Sequence, residues 1–130
     1  MIRRYAIVGT GGRHDMFRRA IAGQYEGACE LVGLCDLNDG RRELAALDTQ
    51  RLTGRTVPTF AASDFDRMLA ETGADTVIVT SMDASHDEYI VRALRAGVNV
   101  VTEKPMTTDE TKCQRILDAV RESKGTVRVC

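Results

Sequence analysis

A short glycine-rich turn is the first stretch of the chain whose residue types could do chemistry. The turn Gly9-Thr10-Gly11-Gly12-Arg13-His14 directly follows the apolar run from Tyr5 to Val8, and an amphipathic segment comes after it. Glycines at such a place let backbone N–H groups approach a phosphate, and the start of the following helix adds unpaired N–H donors. The turn alone is a weak signal, but its place between a strand and a helix predicts a dinucleotide phosphate site.

A carboxylate at the end of the second apolar run is the next candidate. Asp36 closes the run 31–36, and Asn38 follows as the expected N-cap of a helix. In a dinucleotide fold an acid at this offset accepts hydrogen bonds from the adenosine ribose and repels a 2′-phosphate, so we expect NAD rather than NADP. Two alternatives stay open: Asp36 could simply cap the helix, and Arg41 and Arg42 could reach a phosphate.

The tripeptide Glu103-Lys104-Pro105 follows the fifth apolar run. In doubly wound sheets, ligands bind at the carboxyl ends of the strands. Lysine is costly to point into a cleft unless a substrate hydroxyl or carboxylate compensates it, and the proline favours an extended backbone at Lys104. The tripeptide by itself is equally typical of a surface lysine before a helix.

The elements that must position these residues alternate strictly along the chain. We predict strands at about residues 4–8, 31–36, 56–59, 76–80, 98–102 and 126–129, and helices at about 15–25, 38–54, 63–73, 85–97 and 107–125. Such alternation with short links predicts an α/β fold, a doubly wound parallel sheet of the Rossmann type with strand order 3-2-1-4-5-6. Residues 1–130 are expected to form one domain.

Local signals mark several element ends. The patterns Ser85-x-x-Glu88 and Thr107-x-x-Glu110 predict capping boxes at the starts of two helices. Pro58 lies within the predicted third strand and favours an edge position in the sheet, because proline cannot donate to a central ladder.

The composition excludes several function classes. Of 130 residues, 43% are hydrophobic and 28% charged, and 18 Lys and Arg oppose 19 Asp and Glu for a net charge of −1. This balance favours neither nucleic acid nor an acidic membrane surface. No apolar run is long enough to span a bilayer and no leader pattern opens the chain, so we expect a cytoplasmic protein without membrane contact.

The four cysteines show neither a C-x-x-C pair nor metal-ligand spacing, so no metal site is expected. Cys29 and Cys35 flank one predicted strand and would lie roughly 20 Å apart at about 3.3 Å per residue, too far for a disulfide. Reduced thiols in a reducing compartment are the simplest expectation for all four.

Taken together, the glycine-rich turn, Asp36, His86 and the run 102–106 (Thr-Glu-Lys-Pro-Met) resemble the glucose–fructose oxidoreductase/inositol dehydrogenase (Gfo/Idh/MocA) family. The resemblance covers the whole chain and implies an NAD-binding Rossmann domain. It implies that Lys104 lies by the nicotinamide and the substrate and assists catalysis, with Glu103 beside it. It also implies that the end of the fourth strand, Thr80-Ser81-Met82-Asp83, and the following His86 line the cofactor site.

The chain departs from this family in three places. His14 stands where the family usually has Gly or Ala, and we expect its ring to turn outward toward the phosphates, with packing at the helix start as the alternative. The segment Ser81-Met82-Asp83 replaces a common Thr-Pro-Asn. Family members also carry a second α/β domain with the substrate pocket. These 130 residues contain none of it, so an isolated domain or a truncated gene product is expected rather than a complete enzyme.

Three functional hypotheses follow. The preferred one is the NAD-binding domain of an oxidoreductase that transfers hydride between NAD and a sugar or cyclitol hydroxyl. The second is an NAD-dependent glycoside hydrolase of the same family, since its members have a similar Gly-Thr-Gly-Gly-Arg turn. The third is a stand-alone NAD-binding or regulatory module that forms a homo-oligomer through an exposed sheet edge.

Overall fold

The computed structural model describes all 130 residues as strands alternating with helices. The strands are β1 (Arg3–Val8), β2 (Cys29–Asp36), β3 (Thr59–Ala61), β4 (Thr76–Val79), β5 (Asn99–Thr102) and β6 (Val127–Val129). The helices are α1 (His14–Arg19), α2 (Asp39–Thr53), α3 (Phe65–Thr72), α4 (His86–Arg95) and α5 (Glu110–Glu122). A π-helical turn at Ala20–Gln24 continues α1, and 3₁₀ turns at Ala62–Asp64 and Asp83–Ser85 precede α3 and α4.

The six strands form one sheet in the order β3-β2-β1-β4-β5-β6, and every neighbouring pair is parallel. This confirms the predicted doubly wound fold and its strand order. The chain builds the sheet outward from β1 to β3 and then crosses back to place β4 on the other side of β1. The carboxyl ends of β1 and β4 therefore border the crevice that such sheets use for ligands.

The core consists of two apolar clusters, one on each face of the sheet. The larger packs the sheet against α3, α4 and α5 and includes Val8, Phe65 and Ile90. The smaller packs the other face against the α1 region and α2 and includes Ile7 and Ile21. Ile7 and Val8 are adjacent in β1 and enter different clusters, because successive side chains of a strand point to opposite faces.

The third strand lies at the predicted edge but not at the predicted residues. Its ladder begins at Thr59, paired with Leu34, whereas the sequence predicted residues 56–59. The Pro58 carbonyl accepts from the Leu34 N–H at 3.1 Å, and proline has no N–H to return that bond. The strand therefore starts after the proline.

Of the three N-caps predicted from the sequence, the one at α2 is correct and those at α4 and α5 are wrong. Asn38 caps α2 as predicted, and its Oδ1 accepts from the Arg41 N–H at 3.0 Å. Ser85 makes no side-chain cap and donates instead to the Met82 carbonyl. At α5 the cap is Asp109, whose carboxylate accepts from the Lys112 N–H, while the Thr107 hydroxyl is buried without a partner.

Candidate functional site

A cleft of about 330 Å³ lies at the carboxyl ends of β1, β2 and β4. Its wall contains eight of the thirteen residues predicted to contact the cofactor: Gly9, Gly11, Gly12, Arg13, Asp36, Asn38, Thr80 and Ser81. The other five, Thr10, His14, His86, Glu103 and Lys104, lie outside this wall. The structure thus brings the ends of β1, β2 and the more distant β4 together around one cavity.

Gly9 is the tightly packed first residue of the glycine-rich turn. Its φ of +93° favours glycine, and a Cβ built there would lie 2.3 Å from the Ser81 backbone nitrogen. Hydrogen bonds hold it from both sides: its N–H donates to the Cys35 carbonyl at 2.8 Å, and its carbonyl accepts from the Thr80 hydroxyl at 2.7 Å. The end of β1 is therefore clamped between the ends of β2 and β4.

Gly11 and Gly12 are open where Gly9 is crowded. A Cβ built at either residue would meet nothing within 4 Å, and both residues line the cleft. The backbone N–H groups of Gly11, Gly12 and Arg13 donate to no protein acceptor. Three free donors beside an open groove suit an anion that approaches the backbone closely, and a side chain at either glycine would fill that approach.

Asp36 is buried and already hydrogen-bonded. Its Oδ2 accepts from the Thr10 N–H at 2.6 Å and the Thr10 hydroxyl at 3.0 Å, and its Oδ1 accepts from the Asn38 N–H at 2.8 Å. Burial acts to raise the pKa of Asp36, but these three donated hydrogen bonds outweigh it and hold the pKa below its usual value. The side chain is thus a fixed carboxylate in the cleft wall.

The two arginines after Asp36 are not equivalent. Arg42 folds back, donating to the Asp36 carbonyl at 3.0 Å and pairing with Asp39 at 2.6 Å. Arg41 lines the cleft, is exposed and makes no ion pair within 4.0 Å. Of the two cations that could oppose NAD selectivity, only Arg41 is free to reach the cleft.

The expected outward orientation of His14 is wrong. The imidazole is 6% exposed and turned away from the cleft. Its Nδ1–H donates to the Gly11 carbonyl, and the buried Arg18 guanidinium donates to its Nε2 at 3.3 Å. Burial lowers the pKa of His14 below its usual value, which matches a neutral ring with one donor and one acceptor nitrogen. His14 packs the start of α1 and leaves the groove open.

His86 is also buried rather than exposed to the cleft. Its two ring nitrogens lie 2.7 Å from the Pro105 carbonyl oxygen and 2.9 Å from the Ser81 carbonyl oxygen. The ring therefore ties the loop after β4 to the Glu-Lys-Pro turn after β5. This placement gives His86 a role in orienting these two loops, and the expected direct contact with the cofactor is wrong because the ring is buried outside the cleft wall.

An ion pair joins the glycine-rich turn to the end of β5. Arg13 Nη2 lies 3.0 Å from Glu103 Oε1, while Glu103 Oε2 is buried without a hydrogen-bond partner. The neighbouring Lys104 is exposed, and its ammonium group makes neither a hydrogen bond nor an ion pair. At this edge the exposed Lys104 ammonium group thus remains available to a ligand, whereas Glu103 Oε2 is enclosed by the protein.

The cleft wall also includes Arg41 and Met82, which the sequence already indicated, and three residues that it did not single out as site residues: Leu37, Ser85 and Tyr89. Leu37 and Met82 expose 79% and 77% of their surface although both are large and apolar. Leu37 directly follows the end of β2, and that position is the only sequence signal that could have identified it, whereas the resemblance already implied Met82. They add an apolar wall suited to a flat heterocycle.

Two further findings concern metal sites and membrane-spanning helices. No group of three or more His, Cys, Asp or Glu side chains is placed so that it could hold a metal ion. None of the helices is both long and apolar enough to cross a membrane.

A parallel doubly wound sheet with an open glycine-rich turn at β1 and an acid at the end of β2 defines a dinucleotide-binding Rossmann domain. Residues 3–130 match the model of the Gfo/Idh/MocA oxidoreductase family, NAD-binding Rossmann fold. The chain belongs to this family and is its NAD-binding domain, so its cofactor is NAD.

Individual relatives agree with this assignment. The chain is 31% identical to an inositol 2-dehydrogenase of Agrobacterium fabrum over 130 residues, covering 99% of this chain and 37% of that protein. It is 31% identical to glycosyl hydrolase family 109 protein 1 of Akkermansia muciniphila over 123 residues, covering 93% and 25%. The crystal structure of the WlbA dehydrogenase of Bordetella pertussis with NADH and UDP-GlcNAcA superposes with a TM-score of 0.82 at 30% identity, covering 100% and 38%.

The chain spans between a quarter and little more than a third of the length of these curated relatives. Their catalytic activities and substrates belong to proteins that are much longer.

Proposed function

We propose that this domain serves an oxidoreductase that transfers hydride between NAD and a hydroxyl-bearing carbon of a sugar or cyclitol. The proposal is supported by relatives whose names specify inositol oxidation and by a similar fold that holds NADH with a sugar nucleotide. Bound NAD supplies the hydride acceptor. The residues of this chain bind and orient it.

One observation carries the proposal: Gly11 and Gly12 are open to the cleft, and the three N–H groups of Gly11, Gly12 and Arg13 are unpaired. These N–H groups would hold the diphosphate. Asp36 would accept from the adenosine ribose through Oδ1, which keeps a free acceptor position. The exposed apolar side chain of Leu37 would pack against the adenine ring.

Lys104 is the proposed catalytic residue. It follows β5 at the same edge of the sheet, is exposed and has no partner for its ammonium group. A free ammonium group there could donate to the substrate oxygen and lower the cost of removing its proton. Glu103 would lie beside the nicotinamide end of the cofactor, with its Oε1 paired to Arg13. This ion pair would hold the Glu-Lys-Pro turn against the glycine-rich turn.

The rest of the substrate pocket lies outside residues 1–130 in this proposal. Hydride transfer requires a substrate carbon held against the nicotinamide and a group that accepts the proton, and within the chain only Lys104 is available for that work. The relatives are about three to four times as long as this chain, which gives room for a second, substrate-binding part.

The test is a fluorescence titration of the chain with NADH, followed by incubation with NAD⁺ and a panel of polyols and sugars. Saturable NADH binding without NADH formation from the panel is the expected result. Wild-type chain that binds no NADH contradicts the cofactor site, and turnover by the chain alone contradicts the placement of the substrate pocket. Lys104→Met should bind NADH as wild type does, because Lys104 lies outside the cleft wall.

The glycoside hydrolase relative supports a second candidate activity for the parent protein. A hydrolase of that kind returns its hydride in each cycle and accumulates no NADH, whereas a dehydrogenase accumulates it. Measuring NADH accumulation beside glycoside cleavage in the parent protein therefore separates the two. The stand-alone regulatory module, the homo-oligomer through a sheet edge and the cytoplasmic location stay predictions.

A further inference from the structure

Thr10 makes an unusual pair of contacts for a residue of a phosphate-binding turn. Its backbone N–H and its hydroxyl both donate to Oδ2 of Asp36, at 2.6 and 3.0 Å. The residue is 5% exposed and lies outside the cleft wall, although its neighbours Gly9 and Gly11 line it. Its polar groups are therefore directed at the acid and away from the groove.

These contacts determine which part of the Asp36 carboxylate remains available. A carboxylate oxygen offers about two acceptor positions, so the two donors from Thr10 saturate Oδ2. Oδ1 receives only the Asn38 N–H and keeps one position open, and Asp36 itself lines the cleft. A ligand hydroxyl in the cleft would have to donate to Oδ1.

The hydroxyl adds something that the backbone N–H alone does not supply. With the two N–H groups alone, Asn38 donates to Oδ1 and Thr10 donates once to Oδ2, and the broad terminal torsion of an aspartate still lets the carboxylate plane tilt about these contacts. A second donor to the same oxygen from a buried residue, together with the Asn38 N–H on the other oxygen, fixes the plane. The acceptor position on Oδ1 is then held in one direction before any ligand arrives.

We infer that Thr10 is a positioning residue, whose hydroxyl orients Asp36 so that Oδ1 receives the adenosine ribose, rather than a residue that contacts the cofactor. The inference rests on the ribose contact of Asp36 in the proposed function. It assigns Thr10 to ribose recognition, whereas the sequence placed it with the diphosphate-binding residues.

The experiment compares AMP with 2′,3′-dideoxy-AMP, which keeps the base and phosphate but lacks both ribose hydroxyls. Dissociation constants are measured by NMR titration for the wild-type chain, Thr10→Val and Thr10→Ser. Thr72→Val is the matched control, because the Thr72 hydroxyl is also buried and hydrogen-bonded, donating to the Met68 carbonyl far from the cleft. Thr10→Ala replaces Thr10→Val should the valine variant not fold.

We expect Thr10→Val to weaken AMP binding about tenfold, the loss of one hydrogen bond to a charged group, and to leave 2′,3′-dideoxy-AMP binding unchanged. Thr10→Ser and Thr72→Val should behave as wild type with both ligands. Equal weakening of both ligands would mean a general distortion or a phosphate contact by Thr10, and no weakening of either would mean that the hydroxyl is irrelevant. Either result overturns the inference.

A ligand-independent measurement separates this inference from the proposed function. The hydroxyl of Thr10 contributes to the lowered pKa of Asp36, so Thr10→Val should raise the pKa of that carboxyl when its titration is followed by NMR. An unchanged pKa overturns the positioning role even if NADH binds. Wild-type chain that binds neither NADH nor AMP contradicts the proposed function, while the titration still tests Thr10.

Discussion

Replacing Gly9 by alanine should lower the stability of the fold, whereas replacing Gly11 by alanine should weaken cofactor binding and leave the stability unchanged. At Gly9 the new Cβ would lie 2.3 Å from the Ser81 nitrogen and 2.5 Å from the Thr80 carbonyl carbon. Both are backbone atoms of the neighbouring strand end, so neither can rotate away. The backbone at Gly9 also has a φ of +93°, which an alanine adopts only with strain.

The expected cost of Gly9→Ala is large. A left-handed conformation costs roughly 1–2 kcal/mol and overpacking of a filled site typically about 1–3 kcal/mol. A total of about 2–5 kcal/mol is a large share of the roughly 5–15 kcal/mol that stabilises a domain. We therefore expect Gly9→Ala to be partly unfolded or to unfold at much lower urea concentration than wild type.

Gly11→Ala should behave in the opposite way. Its Cβ meets nothing within 4 Å and its φ is not positive, so the free energy of unfolding should stay within about 0.5 kcal/mol of wild type or rise slightly. The methyl group would instead stand in the approach to the unpaired N–H groups. Loss of one charge-assisted hydrogen bond to the diphosphate costs about 1.5–3 kcal/mol, which weakens NADH binding roughly 10- to 150-fold.

The assay is urea denaturation followed by circular dichroism for all three proteins, with NADH titration of those that fold. Gly12→Ala is a second variant of the open kind, because its Cβ also meets nothing within 4 Å. The reasoning fails if Gly9→Ala is as stable as wild type, or if Gly11→Ala binds NADH with wild-type affinity. Equal destabilisation by Gly9→Ala and Gly11→Ala would also refute it.

Three further predictions concern charged groups and thiols. The pKa of Asp36 is lower in the folded chain, so this carboxylate stabilises the fold above its ordinary pKa of 3.8, and that contribution disappears as the pH falls through the folded value. The difference in unfolding free energy between wild type and Asp36→Asn, measured by urea titration at several pH values, should therefore shrink below pH 3.8. Burial raises the pKa of Cys35 to about 12, so a thiol reagent at mildly alkaline pH should label the exposed Cys130 and leave Cys35 unlabelled until the chain is denatured, as peptide mapping would show. Because Glu103 and a bound diphosphate would compete for the Arg13 guanidinium, Glu103→Gln should tighten ADP binding by calorimetry, and the gain should be smaller in an Arg13→Met background.

The contacts that link distant residues were beyond the reach of the sequence. Arg13 and Glu103 are 90 positions apart, and nothing local to either residue predicts their ion pair. The orientation of His14 was decided by the buried Arg18, which offers a donor to Nε2 on the inner side of α1. Asp109 rather than Thr107 caps α5. Both side chains can cap a helix, so the sequence alone could not choose between them, and the path of the chain after β5 decides which residue begins the helix.

The sequence by itself determined the strand order, the place of the cleft and the acid at its rim. Apolar runs that alternate with amphipathic segments leave a parallel sheet with right-handed crossovers as the favoured packing, and this brings the carboxyl ends of β1, β2 and β4 to one edge. Only the tertiary structure decided which groups at that edge remain free for a ligand. A hydrogen bond saturates an oxygen or occupies a donor only at short range, so the state of Asp36, Glu103 or the turn N–H groups depends on which side chains the packed fold brings within about 3 Å.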